Sequence, residues 1–380
     1  MKVAVLTAHL SRASGGLHES VPGMVAALEA LPGCQVDVIG IRDPRHGDDW
    51  KTWGHHVHPA PQWGPRPLGW APTLGATLRG LAPDVVDSQG LWMYHSLVSL
   101  RRARRARLPY VVTPRGMLDL WTLSRSVWKK RIVRAWFEDA HLRQAASLRA
   151  TAWMECRHIR AFGLRNPVAV VPNGVVVPTA AARKVSADGR RRLLFLSRLH
   201  PKKGLPFLLR AWAALAPRHE SWELIIAGPD EVGHRGDMQT LARELGLVRL
   251  SWLPPVAGHT KDDLYRSADL FVLPTHAENF GLVVAEALAH GVPVITTRHA
   301  PWEGLETHGC GWWIDLAHGP LIEALDAAMQ LDDETRAAMG GHGRAWMERD
   351  FAWPAVARQM LEVYRWVLGG GAPPACVVTD

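Results

Sequence analysis

The sequence contains few cysteines and no long apolar run. Its four cysteines are far apart in a chain of 380 residues and form no C-x-x-C pair, so we expect no disulfide framework and infer a reducing compartment. No stretch of 18 apolar residues occurs, which argues against a membrane-spanning helix. The apolar start, MKVAVLTAHL, is too short for the core of a signal peptide and predicts a first strand.

Tyrosine and phenylalanine are also scarce, with 4 and 7 copies, whereas tryptophan occurs 18 times. Hydrophobic residues make up 47% and charged residues 21%, which is typical of a globular protein and argues against extensive disorder or a fibrous repeat. At roughly 150 residues per domain, the length predicts two or three domains.

Acidic residues are in short supply in the first half of the chain. Residues 1–180 hold 23 Lys and Arg against 12 Asp and Glu, whereas residues 181–380 hold 21 against 24. The net charge of +8 is therefore local, and residues 101–149 alone carry 13 basic and 3 acidic side chains. Such an excess predicts an anionic partner nearby, which at this point could be nucleic acid, an anionic membrane face or a phosphorylated substrate.

Tryptophan and basic residues alternate in part of this segment. The basic run RRARRAR at 101–107 lies on a helical pattern, and Trp121, Trp128 and Trp136 follow among further Lys and Arg residues. This pattern is typical of an interfacial contact with an anionic membrane, which we predict for residues 101–134. Tryptophan at helical spacing is equally typical of core packing, and the sequence leaves both interpretations open.

Short apolar runs alternate with helical patterns in two series. The strands predicted for the first series are 3–6, 36–39, 85–87, 110–113 and 168–171, and those for the second are 193–196, 224–227, 248–253, 270–273 and 292–296. This alternation predicts two α/β domains with parallel sheets and helices on both faces. The predicted parts are an N-terminal domain over 1–178, a polar linker over 179–191, a second domain over 192–350, and a final helix and tail over 351–380. Ligands bind outside the carboxyl ends of parallel strands, so we expect the functional residues to lie in the loops after strands.

Two of these loops carry groups that suit an anion. Gly15 and Gly16 follow the first strand and run into a helix, although a simple turn explains them equally well. They do not form G-x-G-x-x-G, so no dinucleotide cofactor is predicted. Arg198 and Lys203 follow the strand at Leu193–Leu196 and could bind one polyanion, although solvated surface cations are the common alternative.

The strongest pattern is a pair of glutamates. Glu278 follows a strand, and Glu286, eight residues later, falls on the same side of the next helix. That helix is otherwise apolar, so a carboxylate buried in it needs a partner. Hydroxyl groups of a ligand or a donor from the protein would both serve.

The ordered set of motifs resembles the retaining family 4 glycosyltransferases of GT-B fold. It comprises E-x7-E with N-F-G after the first Glu, the Gly15-Gly16 loop, R-x4-K-G at 198–204, Ala227-Gly228-Pro229 and Val171-Pro-Asn-Gly174-Val. The resemblance covers most of the chain. It implies two Rossmann-like doubly wound domains that face a central cleft, with the last helix crossing back to the N-terminal domain.

The resemblance also implies roles for individual residues. Arg198 and Lys203 would neutralise the diphosphate of a donor, Glu278 would contact hydroxyls of the donor sugar, and Glu286 would take the ribose hydroxyls. The remaining implied donor contacts are backbone groups, those of Gly15, Gly16, Val256, Asn279, Phe280, Gly281 and Leu282.

Two positions depart from the family pattern. Many relatives carry a histidine in the loop after the fourth strand, where this chain has Arg115, and Gln89 stands where another histidine is common. Arginine cannot act as a general base, so Arg115 would only stabilise charge or orient hydroxyls.

The function implied is retaining transfer of a sugar from a nucleotide diphosphate sugar to an acceptor hydroxyl, by a hexosyltransferase-type enzyme without a bound metal or other cofactor. The acceptor would be lipid-linked or an oligosaccharide, in exopolysaccharide, O-antigen or lipopolysaccharide synthesis, with the protein in the cytoplasm and peripheral on the inner face of the membrane. The alternatives are a nucleotide-sugar epimerase of the same fold and, more remotely, a nucleic-acid-binding protein. Only the pI near 9.6 supports the latter, because no binding module is visible.

Overall fold

A computed structural model describes residues 1–11, 15–43, 49–54, 56–64, 68–179 and 189–379, and the contacts divide the chain into two units. Unit 1 comprises Met1–Gly174 and Trp353–Asp380, and unit 2 comprises Val175–Ala352. Residues 180–188 of the predicted linker lie outside the described residues.

The described part of unit 1 contains one sheet. Its strands, numbered along the chain, are β1 (Lys2–Thr7), β2 (Gln35–Arg42), β3 (Val57–Pro61), β4 (Val85–Gln89), β5 (Tyr110–Thr113), β6 (Ser147–Ala150), β7 (Val168–Val170) and β14 (Val377–Val378). They pair in the order β14-β7-β6-β5-β4-β1-β2-β3, in parallel except for the antiparallel pair of β14 and β7. The order reverses between β1 and β4, as in a doubly wound fold.

Helices cover both faces of this sheet. They are α1 (Gly16–Glu29), α2 (Thr73–Leu81), α3 (Tyr94–Ala106), α4 (Leu120–Leu123), α5 (Val127–Val133), α6 (Asp139–Gln144), α7 (Trp153–Ala161) and α15 (Trp353–Val367), with a π-helical turn over Arg134–Glu138. Side chains alternate along β1, so that Val3 and Val5 join the core beneath α1 and α15 while Ala4 and Leu6 join the core on the other face. A strand buried on both faces reads as a continuous apolar run, which is why β1 was predictable.

The last helix returns to unit 1, as the resemblance implied. Helix α15 packs with α1, and the indole of Trp353 lies so close to Gly23 and Gly174 that a Cβ at either position would be 2.4 or 2.2 Å from it. At the other end, the Tyr364 hydroxyl donates a hydrogen bond to Asp87 of β4 (2.6 Å). Helix α15 is thus an integral layer of unit 1.

Unit 2 repeats the doubly wound arrangement. Its described strands are β8 (Arg191–Leu196), β9 (Trp222–Ala227), β10 (Leu250–Leu253), β11 (Leu270–Leu273), β12 (Val294–Thr297) and β13 (Gly311–Ile314), all parallel in the order β10-β9-β8-β11-β12-β13. Its helices are α8 (Leu205–Leu215), α9 (His234–Glu244), α10 (His259–Arg266), α11 (Leu282–Ala289), α12 (Gly304–Thr307), α13 (His318–Gln330) and α14 (Asp333–Trp346). The order reverses between β8 and β11, so the loops after these two strands mark the expected ligand position.

The predicted fold class, two parallel-sheet α/β domains, is confirmed. Among the residues that the structure describes, none of the helices combines the length and apolar character needed to cross a bilayer.

Candidate functional site

The loops after β8 and β11 bring together predicted residues that are 75 positions apart in sequence. Lys203 is 6% exposed, and its Nζ donates a hydrogen bond to Oε2 of Glu278 in a close ion pair. Burial alone raises the pKa of Glu278, but the charge and hydrogen bond of Lys203 outweigh burial and leave that pKa below its ordinary value. The carboxylate is therefore held ionised, as an acceptor for donors such as ligand hydroxyls.

Backbone contacts fix the two loops against each other. The Lys202 carbonyl accepts hydrogen bonds from the His276 amide (2.8 Å) and the Thr275 hydroxyl (3.1 Å). Gly204 has φ +68°, and a Cβ there would lie 1.7 Å from the Pro274 carbonyl oxygen, so only glycine permits this approach. The position of Lys203 beside Glu278 thus rests on the glycine of the R-x4-K-G motif.

Arg198 occupies the same loop but has a different partner. Its Nη1 donates to both carboxylate oxygens of Glu231, at 2.8 and 3.0 Å, and its side chain is 51% exposed. An exposed pair of this kind exchanges partners at little cost. The charge of Arg198 also contributes to lowering the pKa of Glu278, so the two residues act within one electrostatic environment.

Helix α11 begins at Leu282, four residues after Glu278. Gly281 caps the helix with φ +85°, and a Cβ there would lie 3.0 Å from Cγ of Glu278 and 3.2 Å from Nε1 of Trp302. Trp302 donates to the Phe280 carbonyl (2.5 Å) and so secures the turn. The first amide groups of a helix lack intrahelical acceptors and carry positive partial charge, which favours an anion here.

Glu286 lies on α11 with two donors from α10. Lys261 Nζ is 2.6 Å from Oε1, and the Tyr265 hydroxyl is 2.8 Å from Oε2. The sequence left two kinds of partner open for Glu286, ligand hydroxyls and protein donors, and the structure shows protein donors. Lys261 and Tyr265 were missed, although their i,i+4 spacing on a helix would have placed them on one face. Val256, in the loop before α10, is half-buried against the core of unit 2.

The two predicted glycines of unit 1 lie at the start of α1. Gly15 precedes the helix with φ +59°, and no described atom lies within 4 Å of where its Cβ would be. Gly16 is the first helical residue, and its carbonyl accepts from the Ser20 hydroxyl (2.7 Å). The backbone conformation at Gly15 favours glycine, since side chains rarely adopt it.

Arg115 belongs to a polar network at the carboxyl edge of the unit 1 sheet. It has φ +58°, its Nε donates to Gln89 (2.8 Å), and its Nη1 donates to Asn173 (2.6 Å). Burial, and next the charge of Arg149, lower the pKa of Arg115 to about 9. Its Nη2 is buried without a partner among the described residues, which leaves one donor of the guanidinium unused.

This network continues to Asp87. Gln89 Nε2 donates to Oδ1 of Asp87 (2.6 Å), and the Tyr364 hydroxyl donates to Oδ2 of Asp87. Burial is the largest influence on Asp87 and raises its pKa. Arg115 is therefore held by Gln89 of β4 and by Asn173 in the loop after β7, and Gln89 is linked through Asp87 to Tyr364 of α15.

Metal ligands do not cluster in the described residues, where no group of three or more His, Cys, Asp or Glu could hold an ion. In the histidine-rich stretch 54–58, His58 Nε2 lies 2.8 Å from Oδ1 of Asp37, and His55 lies outside the described residues.

Family models match the chain in two consecutive stretches. The Glycosyl transferase 4-like domain matches residues 15–174, and Glycosyl transferases group 1 matches residues 177–346. A D-inositol 3-phosphate glycosyltransferase of Kineococcus radiotolerans is 34% identical over 226 residues, which cover 52% of this chain and 51% of that protein. The chain spans about half the length of the curated relatives it matches.

Solved structures share the fold over nearly the whole chain. Sucrose-phosphate synthase from Thermosynechococcus elongatus has a TM-score of 0.80 at 20% identity, covering 98% of this chain and 100% of that one. HepE from Anabaena, solved with UDP and glucose, has a TM-score of 0.75 at 19% identity, covering 95% and 98%.

Likeness of this extent shows that the chain has the GT-B fold. The two family models narrow the assignment further. The chain belongs to the group 1, family 4 glycosyltransferases, and the resemblance drawn from its motifs is confirmed. The roles of the individual site residues stay predictions.

Proposed function

We propose that this protein is a retaining glycosyltransferase that moves a sugar from a nucleotide diphosphate sugar to an acceptor hydroxyl. The observation that carries the proposal is the ion pair of Lys203 and Glu278 beside the N-terminus of α11, at the strand-order reversal of unit 2. Family membership and the UDP and glucose bound by HepE support a nucleotide sugar as donor.

The mechanism that we propose is electrostatic. The bond between the anomeric carbon and the diphosphate oxygen breaks, the acceptor oxygen bonds to that carbon from the same face, and the acceptor proton passes to the departing phosphate. Lys203, Arg198 and the first amides of α11, Asn279–Leu282, stabilise the charge that develops on the diphosphate. No protein nucleophile and no metal are needed for this scheme.

The carboxylates and the remaining predicted contacts position the donor. Glu278 accepts from hydroxyls of the donor sugar while Lys203 keeps it ionised. Glu286 accepts from the ribose hydroxyls, and Lys261 and Tyr265 orient its two oxygens. The Val256 backbone contacts the base, and Gly15 and Gly16 approach the phosphates.

Arg115 contributes a fixed positive donor and not a base. Two of its nitrogens are committed to Gln89 and Asn173, which leaves the buried Nη2 to stabilise charge or orient a hydroxyl. Removing this residue should therefore reduce turnover without changing its pH optimum.

The acceptor that we propose is lipid-linked or a growing oligosaccharide, in exopolysaccharide, O-antigen or lipopolysaccharide synthesis. The location that goes with it is the cytoplasm, peripheral on the inner face of the membrane. The local basic excess of residues 101–149 supports an anionic or membrane-bound acceptor. D-inositol 3-phosphate, the substrate in the names of the curated relatives, is the acceptor to test against it.

A thermal-shift screen against nucleoside diphosphates and their sugars tests the donor. Ligand binding raises the melting temperature by mass action, so at least one nucleotide sugar should raise it, and Lys203→Met should abolish that rise. Arg210→Met, which changes an exposed cation on α8, is the matched control and should keep the rise. No shift with any nucleotide would contradict the proposal, and conversion of the donor sugar without an acceptor would indicate an epimerase.

A further inference from the structure

Unit 1 turns large apolar side chains outward over residues 121–136. We define the tryptophan face as Trp121, Val127, Trp128, Ile132 and Trp136, which are 40, 43, 64, 58 and 57% exposed. None of the residues of α5 is buried. A helix at the surface of a domain ordinarily turns its apolar side inward, so a helix with its apolar side in solvent indicates a partner.

Buried contacts of the π-helical turn fix the inner side of the segment that contains α5. The π-helical turn joins α5 to α6 and places Phe137 and Glu138 in the interior, at 1 and 0% exposure. Glu138 accepts from the Trp92 amide (2.7 Å) and lies 2.8 Å from Nδ1 of His141. Because the inner side is fixed in this way, Trp128, Ile132 and Trp136, spaced by four residues, stay on the outer side.

Cations border the tryptophan face. Arg125 stacks over the ring of Trp121 at 3.9 Å, and Lys129 and Arg131 are exposed on α5 itself. Helix α3, which packs beside α6 and the π-helical turn, adds a further exposed basic group, Arg101, Arg104, Arg105 and Arg107.

Acidic side chains do not offset these cations. Of the three in residues 101–149, Glu138 is buried, Asp139 pairs with Arg134 (2.8 Å), and Asp119 accepts from the Thr122 amide and hydroxyl (2.6 and 2.9 Å). The surface around the tryptophan face is therefore strongly positive, and an acidic or anionic partner complements it.

We propose that the tryptophan face docks on an anionic lipid bilayer. Tryptophan and branched aliphatic side chains enter the boundary between headgroups and acyl chains, and the flanking Lys and Arg contact anionic headgroups. Nucleic acid would match the charge but not Val127 and Ile132. This inference deepens the proposed function by naming the surface at which the acceptor is met, but lipid binding itself does not depend on sugar transfer.

Co-sedimentation of the full-length protein with vesicles tests the proposal. The vesicles contain phosphatidylcholine alone or with about one third phosphatidylglycerol. We expect binding to the anionic vesicles to be at least about tenfold stronger, and W128S/I132S/W136S to lose it by a similar factor. Arg125→Gln with Lys129→Gln and Arg131→Gln should weaken binding mainly at low salt, because salt screens charge and not apolar insertion.

The matched control is W63S/V232S/V248S, which removes three apolar side chains that are 70, 83 and 54% exposed and lie outside the tryptophan face. It should bind as the wild type does. All three triple variants should keep the thermal shift with nucleotide sugars, which separates failure of this proposal from failure of the donor site and from misfolding. Equal binding by W128S/I132S/W136S and the control would overturn the proposal. So would a wild type that ignores both vesicles but forms a dimer that W128S/I132S/W136S abolishes, since that result assigns the face to a second copy.

Discussion

The two units share the doubly wound strand order but differ in how they place tryptophan and charge. In unit 2, Trp212, Trp222 and Trp302 are at most 1% exposed. In unit 1, six tryptophans are at least 40% exposed, namely Trp63, Trp70, Trp121, Trp128, Trp136 and Trp153. Because unit 2 buries these tryptophans within the same doubly wound fold, the fold itself does not require exposed tryptophans. Their exposure in unit 1 therefore indicates a partner.

Both units bury some charged groups, but these groups have different surroundings. Unit 1 buries Asp87, Glu138, Arg149 and Glu155 at no more than 1% exposure, where they hydrogen-bond within the unit. Of the predicted donor-site charges of unit 2, Lys203 is buried, whereas the side chains of Arg198, Glu278 and Glu286 are 51, 17 and 18% exposed, and each is in an ion pair. We therefore propose different tasks for the two units, docking for unit 1 and anion binding for unit 2.

The largest effect is expected from breaking the ion pair of Lys203 and Glu278 in unit 2. Lys203→Met should lower turnover of the donor identified by thermal shift by about 100-fold, because a preorganised cation beside the diphosphate is lost. It should also lower the free energy of unfolding by about 3 kcal/mol, since Glu278 is left without its partner. Initial rates and urea denaturation measure both. Turnover within a factor of two of the Arg210→Met control would show that unit 2 does not use this pair.

The next effect concerns the glycine that lets the two loops meet. Gly204→Ala should lower the free energy of unfolding by about 3 kcal/mol, because φ is +68° and a Cβ would collide with the Pro274 carbonyl. Gly233→Ala is the control, since φ is +76° but no atom lies within 4 Å, and it should cost only about 1 kcal/mol. Similar losses in urea denaturation would mean that the close contact contributes nothing.

The sequence predicts the fold best where both faces of a strand are apolar. β1 and β8 are of this kind, whereas β6 was missed because its Ser-Leu-Arg-Ala sequence contains Arg149. That side chain is buried because its Nε and Nη2 donate to the carbonyls of Val171 (3.1 Å) and Pro172 (2.6 Å). β3 and β13 were missed for another reason: they are edge strands, and β3 contains two prolines in its sequence Val-His-Pro-Ala-Pro.

The candidate site was predictable in its residue types but not in its pairings. E-x7-E and R-x4-K-G identified Glu278 and Lys203, but periodicity says nothing about which side chains meet across loops 75 residues apart. For the same reason Lys261 and Tyr265 were missed as partners of Glu286, and Glu231 as the partner of Arg198. The charge excess of the segment holding the tryptophan face was visible in sequence, but only the structure distinguishes exposed tryptophans from core ones.

Unit 1 should show a pH dependence that comes from its interior. His95 is fully buried, and burial lowers its pKa from 6.5 to about 4, with Glu138 opposing and His141 and His9 reinforcing the shift. A lowered folded-state pKa means that the unfolded chain binds more protons between those values. The stabilisation is complete above pH 6.5 and is lost as pH falls towards 4. The loss attributable to His95 should be about 2–3 kcal/mol.

His95→Gln, which removes the titrating group, provides the comparison. Urea denaturation at pH 7 and pH 4.5 should show a smaller drop in the free energy of unfolding for this variant than for the wild type. Lys203→Met, in the other unit, should leave the drop unchanged. Equal drops in wild type and His95→Gln would show that the buried interior of unit 1 does not set its acid sensitivity.

The smallest effect tests whether Arg198, which is paired with Glu231 in the structure, is available to bind the ligand. Glu231→Gln removes the carboxylate that holds Arg198, and because the pair is exposed the free energy of unfolding should change by less than about 0.5 kcal/mol. If the diphosphate competes with Glu231 for the same guanidinium, its affinity should rise about two- to fivefold, since Arg198 no longer leaves a partner on binding. Titration calorimetry with the nucleoside diphosphate measures this gain. The double variant R198Q/E231Q should lose the gain entirely, whereas a gain that persists without Arg198 would mean that Glu231 acts on the ligand directly, by repulsion alone.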